Sequence, residues 1–279
     1  MPKKTIDIPI LVYGATMTGI GIAIKNPEQV LLVDKRALVG HEFIDAYNLG
    51  SSKIVDVKTS FGKTLLHELL DRKILTKEGN IHLPAMPPII CKMILDSKIN
   101  ALMMTTITNI EKTDNGFIVS IYNNSGQKSL SVGRIIDTTS EGLLIKDKGD
   151  RIIGKSLNAA LNNPNKQEEF PFDDEEIKNN PNITCQKGKL DAEIYIKLKL
   201  EISEDWAGAR GKLHAFWQNR PKCLKNWQLA TISSTFDYWV LYSEPGDAGN
   251  VQWLPSCAYS NPLEAFEEGV CFIKGGAEQ

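Results

Sequence analysis

Gly14, Thr16 and Gly19 fall on the spacing of G-x-G-x-x-G, with threonine in the middle position, and the acid Asp34 follows twenty residues after Gly14. A dinucleotide needs such a set. Glycines let the backbone approach a pyrophosphate, the helix they open turns its free N–H groups and dipole toward the anion, and the acid accepts hydrogen bonds from a ribose. An acid at that place also disfavours a 2′-phosphate. Thr16 crowds the approach, and the two glycines would equally serve a close strand-to-helix packing with no ligand. His41, in Val-Gly-His-Glu, and His214 are imidazoles able to work as acid or base, and each also reads as an ordinary histidine on a loop or a sheet surface. Cys257 stands near Asn261-Pro262 without a second nearby thiol. The five cysteines are odd in number and widely spaced with no C-x-x-C pair, which fits reduced thiols and a cytoplasmic setting and offers no metal site.

The elements that must position these residues follow from hydrophobic pattern. The apolar run Ile8–Tyr13 predicts a buried parallel strand, Thr16–Ile24 a helix ending at Asn26-Pro27, and Val30–Val33 a second strand capped by Asp34. This is a β-α-β unit. Helices are expected over Phe61–Arg72 and, after Pro87-Pro88, over Ile89–Asp96. Strands are expected at Thr105–Lys112, Phe117–Tyr122 and Lys128–Val132, with hairpin turns at Asp114–Gly116 and Asn123–Gly126, and a further short strand at Arg134–Asp137. The Asn-, Pro- and acid-rich stretch Asn162–Lys189 reads as a linker, and alternation between Leu190 and Tyr242 reads as an antiparallel sheet, with His214 on a strand Lys212–Trp217. Asn261-Pro262 opens a final helix.

With 279 residues, 42% of them hydrophobic, the chain can bury a sizeable core. A net charge of -2 gives no bias toward nucleic acid or an anionic membrane surface, and the Met-Pro-Lys-Lys start runs into a strand pattern too brief for a signal peptide or membrane span.

Three stretches, VYGATMTGIGIAI with VLLVDKRALVGHEF, the meander from Met104 to Ile136 ending in RIIDTTSEG, and the late LPSCAYSNPLEAFEEGV, carry a resemblance. Together they make about half the chain similar to the FAD-dependent oxidoreductases of the glutathione-reductase-like or hydroxybenzoate-hydroxylase-like nucleotide fold. The resemblance implies an α/β chain: a Rossmann-like FAD-binding domain with a parallel sheet and an inserted three-stranded meander, made of residues 1–155 and 246–279, plus a smaller antiparallel substrate or cap domain, 156–245. It implies that Gly14, Met17 and Thr18 contact the pyrophosphate beside Thr16 and Gly19, that Asp34 holds the adenosine ribose and Lys35 the adenine side, and that Ile107 offers a backbone contact to adenine. Thr138 and Thr139, in a D-A-T-G-like turn with Ser140 in the glycine position, would lie near the pyrophosphate. Asn261 and Pro262 would approach the isoalloxazine or ribityl chain, and His41 would lie near the flavin as acid, base, covalent tether or packing residue. Apart from the resemblance, His214 on the expected strand Lys212–Trp217 is a candidate to reach substrate or an ordinary sheet-surface residue.

The function so implied is hydride or electron transfer between a small organic substrate and FAD. Two alternatives stay open: a flavin-binding or flavin-free subunit needing a partner chain, as homo-oligomer or hetero-subunit, and an NAD-dependent dehydrogenase.

Overall fold

Central strands are apolar on both faces because helices and loops cover them from either side. The computed structural model, which describes residues 6–53, 56–146, 148–164, 175–241 and 251–272, follows that rule from its first element. Strand β1 (Ile6–Tyr13) leads through a three-residue turn into helix α1 (Met17–Lys25) and strand β2 (Val30–Val33). Helices α2 (Ser60–Asp71) and α3 (Pro87–Asp96), strand β3 (Asn100–Leu102) and the meander β4 (Thr106–Thr113), β5 (Gly116–Asn123) and β6 (Gly126–Asp137) follow. After β7 (Ile152–Asn162) come the short helix α4 (Glu175–Lys178), β8 (Ile183–Lys187), β9 (Glu193–Leu200), helix α5 (Trp206–Gln218), β10 (Gln228–Ile232), β11 (Asp237–Val240), β12 (Gln252–Trp253) and helix α6 (Pro262–Phe272).

The first sheet runs β3-β2-β1-β6-β5-β4, with β12 beside the end of β6. β1 pairs in parallel with both β2 and β6, β2 pairs in parallel with β3, and the meander pairs antiparallel. One face of this sheet meets α1, α2, α3 and α6, through Met17, Ile20, Leu65, Ile90 and Phe266 among others. The second sheet, β10-β7-β9-β8 with β11 also on β7, is antiparallel throughout. Leu157, Ile194 and Ile196 pack on one face of it with Ala209 and Leu213 of α5. Ala160 and Tyr195 join the large core of the first unit. This is an α/β chain with a mixed sheet and a separate antiparallel sheet, as the resemblance implies.

Three expectations are corrected. Arg134–Asp137 is no separate strand but the end of β6, which runs on through Gly133; an added Cβ there would lie 2.8 Å from the Pro9 carbonyl, so only glycine lets β6 pass β1 at that point. The expected linker holds α4 and β8 within its described part, and residues 165–174 lie outside the described residues. The stretch Leu190–Tyr242 is not all sheet: α5 crosses it, capped by Asp205, whose carboxylate accepts from the Gly208 N–H at 2.7 Å. His214 therefore sits on a helix and is exposed to solvent. Tyr242 and residues 246–250 lie outside the described residues. Among the described residues no helix is long and apolar enough to cross a membrane.

The two sheets meet over a polar cluster. The Lys197 ammonium donates to Asp237 Oδ2 and Asn48 Oδ1, each at 2.8 Å, Asn48 Nδ2 donates to Asp237 Oδ1 at 3.0 Å, and Asn158 Nδ2 donates to the Ala46 carbonyl at 2.8 Å. Strands β7, β9 and β11 are thereby tied to the loop that follows β2.

Candidate functional site

The end of β1 turns at Gly14, whose φ of +109° only glycine adopts without strain. An added Cβ there would lie 2.7 Å from Thr138 Oγ1, and one at Gly19 would lie 2.2 Å from the Gly14 carbonyl. Both glycines are thus required by packing alone. Thr16, in the middle position, caps α1: its Oγ1 accepts from the Gly19 N–H at 3.0 Å and donates to Thr138 Oγ1 at 2.7 Å. Thr138 donates in turn to the Gly14 carbonyl at 3.0 Å. Through these bonds the turn after β1 is pinned to the turn after β6.

The four leading N–H groups of a helix lack partners within it, and here the first two at the α1 end are met by side chains from elsewhere. The Met17 N–H donates to Glu42 Oε1 at 2.8 Å and the Thr18 N–H to Ser256 Oγ at 3.1 Å. Ser256 Oγ donates to the same Glu42 Oε1 at 2.6 Å. One residue before the cap, the Ala15 N–H donates to Asp34 Oδ2 at 2.6 Å, and Asp34 Oδ1 accepts from the Arg36 N–H at 2.7 Å. Glu42 arrives because the Gly40 N–H bonds the Ala15 carbonyl at 2.7 Å, laying the loop after β2 over the turn after β1. Ser256 arrives from the segment beyond β12, held by its N–H to the Thr138 carbonyl at 3.1 Å.

Burial sets the electrostatics. Glu42 is 2% exposed, and desolvation pushes its carboxyl up to about 7 against the lowering effect of the Ser256 and Met17 hydrogen bonds. Asp137, wholly buried, is pushed up to about 6 although it accepts from Thr139 Oγ1 at 2.6 Å and from the Leu144 N–H at 2.7 Å. Asp34 is raised by burial despite its two backbone donors. His41 is held well below the ordinary imidazole range, chiefly by burial and then by the charges of Arg36 and Lys35. Its Nδ1 lies 3.7 Å from Asp34 Oδ2 and has no hydrogen-bond partner.

The fold brings Gly14, Thr16, Met17, Thr18, Gly19, Asp34, His41, Thr138 and Thr139 into one cluster at the carboxyl ends of β1, β2 and β6, the place where open α/β sheets bind ligands. Lys35 follows this cluster exposed, and Ile107 lies on β4, packed on the far face of the sheet. Asn261 and Pro262 open α6: Asn261 Oδ1 caps the Glu264 N–H at 2.9 Å, and the pair lines a shallow depression with Leu49, Leu69, Ile81 and Leu263. His214 does not join the cluster. Glu42 and Ser256, which do, carry no sequence signal beyond Glu42 standing next to His41 in the loop that follows Asp34.

No protein-family model matches the chain, and no curated protein matches it by sequence. Solved structures do. L-proline dehydrogenase from P. horikoshii aligns with 98% of this chain and 95% of its own at a TM-score of 0.60 and 12% identity. A geranylgeranyl bacteriochlorophyll reductase-like protein from Thermoplasma acidophilum aligns over 95% and 77% at 0.61 and 11%. Aklavinone-11 hydroxylase, solved with FAD and aklavinone, aligns over 94% and 60% at 0.54 and 12%, so this chain spans under two thirds of that enzyme. The chain shares its fold with these solved proteins, one of which was solved with FAD.

Proposed function

We propose that the chain is an FAD-dependent oxidoreductase acting on a small organic molecule, with residues 1–155 and 246–279 on the cofactor side and 156–245 on the substrate side. The observation carrying this reading is the β1-α1-β2 crossover, with Gly14, Gly19 and Asp34 gathered beside Thr138 at the carboxyl ends of parallel strands in a fold shared with such enzymes. A flavin would supply the redox chemistry, and this chain's groups would bind, orient and exclude water.

By residue type the cluster suits a dinucleotide; in the arrangement described it does not fit one. The Ala15, Met17, Thr18 and Gly19 N–H groups are already engaged, and Thr16, Thr18, Asp34, His41 and Glu42 are all buried. A dinucleotide requires Glu42 and Ser256 to withdraw from α1. That same closure favours a second reading, a flavin-free subunit that depends on a partner chain.

Absorbance of the purified protein between roughly 350 and 500 nm separates the two, because a bound flavin absorbs there. Pigment, or uptake of added FAD, is expected on the first reading. A colourless chain that takes up none leaves the second. Pigment that stays with acid-precipitated protein would support a tether at His41, and complete release would remove it.

A further inference from the structure

We propose that Glu42 is an internal occupant of the dinucleotide-phosphate seat, an intramolecular competitor that a pyrophosphate must displace from the N-terminus of α1. The inference deepens the dinucleotide reading above and rests on it. A helix N-terminus with converging N–H groups binds anions, and here the chain itself supplies the carboxyl that takes that place, an anion once the pH exceeds the value of about 7 to which burial raises it. Glu42 Oε1 takes the Met17 N–H and, through Ser256 Oγ, reaches the Thr18 N–H.

A carboxylate that only fixes the start of a helix would look different, and the chain contains one for comparison: Glu267 holds the residues just before α2, whose cap is Thr59. At the start of α2, Glu267 Oε1 accepts from the Lys58 and Thr59 N–H groups, both at 2.7 Å, and its Oε2 accepts from Thr59 Oγ1 at 2.5 Å. Both oxygens of that carboxylate are used. Glu42 Oε2, by contrast, is buried with no hydrogen-bond partner, and the neighbouring His41 Nδ1 is likewise buried without one. Leaving buried polar atoms unmet costs free energy that a finished structural cap avoids. The arrangement is that of a partial substitute: one carboxylate oxygen satisfies the helix while the second oxygen and an adjacent imidazole nitrogen stay unsatisfied. A pyrophosphate carries more acceptor oxygens and fixed charge, and could serve the helix N–H groups better once Glu42 leaves.

The test titrates wild type, Glu42→Ala and Glu42→Gln at a pH above about 7, where the Glu42 carboxyl is ionised, with ADP-ribose, which has the pyrophosphate but no flavin, and separately with FAD, following tryptophan fluorescence. Far-UV circular dichroism checks that each variant is folded. Glu42→Ala is expected to bind ADP-ribose at least tenfold more tightly than wild type, and Glu42→Gln, which keeps the volume but removes the charge, to gain less. Folded variants that bind no more tightly than wild type overturn the inference. Should Glu42→Ala not fold, Glu42→Gln decides. A measurement on unaltered protein stands beside these: the Met17 and Thr18 amide hydrogens should exchange slowly without ligand. Fast exchange there beside slow exchange at Ile20 would mean that Glu42 does not hold the seat, and would overturn the inference with no variant at all. Equal FAD binding by wild type and variants sinks the competitor and leaves the flavin reading standing. Tighter ADP-ribose binding with no uptake of FAD by any form does the reverse.

Discussion

Burial pushes Glu42 up to about 7 from an ordinary 4.5, and Asp137 up to about 6 from 3.8, so the folded chain holds protons that the unfolded chain has released. A carboxyl raised in this way contributes stability that is fully present below its ordinary value and is lost as the pH rises through the folded one. Urea unfolding of wild type against Glu42→Gln isolates the first group. Wild type should lose stability relative to the variant between about pH 4.5 and pH 7, and a difference that stays flat would show that Glu42 is not buried as a carboxyl at the head of α1. Two further substitutions separate packing from chemistry. Gly19→Ala would set a Cβ 2.2 Å from the Gly14 carbonyl, and overpacking of this kind costs about 1–3 kcal/mol whether or not a ligand is present. His214→Ala, exposed on α5, should change stability by less than about 0.5 kcal/mol. Gly14, Gly19 and Asp34 were legible because backbone demands and strand ends leave fixed spacings, and Thr138 through the resemblance of its turn to D-A-T-G. Glu42 and Ser256 were not, since an acid or hydroxyl that becomes buried through a distant contact has no local pattern to mark it.

At the scale of elements, legibility followed the strength of local signals. The β1-α1-β2 unit, the meander with its Asn- and Gly-rich turns, and the proline-led openings of α3 and α6 were readable because turn chemistry and continuous apolar runs mark them. Helix α5 was not: it buries only Ala209 and Leu213, contains Gly208 and Gly211, and carries Trp206, Phe216 and Trp217, which favour strands. Its one clear mark was Asp205 as a cap. β8 hid in a polar stretch because Ile183 alone of its five residues is buried. The pairing of α1 with α6 was also invisible locally, yet it shapes the seat. An added Cβ at Gly269 would lie 2.2 Å from the Thr18 carbonyl, and the Thr18 hydroxyl donates to the Ala265 carbonyl at 3.0 Å. Gly269→Ala should therefore move α6 off α1, cost about 1–3 kcal/mol, and speed amide exchange at Thr18. Unchanged exchange there would mean that the two helices do not share the constraint.

For the whole molecule the question is what makes the two sheets one unit, and the polar cluster around Asp237 answers it. The Asp237 side chain is wholly buried and that of Lys197 is 15% exposed, and Asn48 and Asn158 connect the pair to the loop whose next turn back carries Glu42. Removing one partner of a buried ion pair leaves the other charge uncompensated, typically costing about 3–5 kcal/mol, whereas replacing both by apolar groups of similar volume is often neutral. Asp237→Ala should therefore fall near the lower end of that range, because the Lys197 ammonium keeps its bond to Asn48 and some access to solvent. Asp237→Leu combined with Lys197→Met should recover much of the loss. The tryptophans report on where the damage lies: Trp206, Trp217 and Trp227 pack with the second sheet, while Trp253 donates to the Thr139 carbonyl at 2.8 Å in the first. If the cluster couples the sheets, Asp237→Ala should split one urea transition into two, with fluorescence and far-UV circular dichroism no longer coinciding, as when two-state behaviour fails. A single coincident transition at lower urea would show instead that the shared core around Ala160 and Tyr195 is sufficient to hold the sheets together.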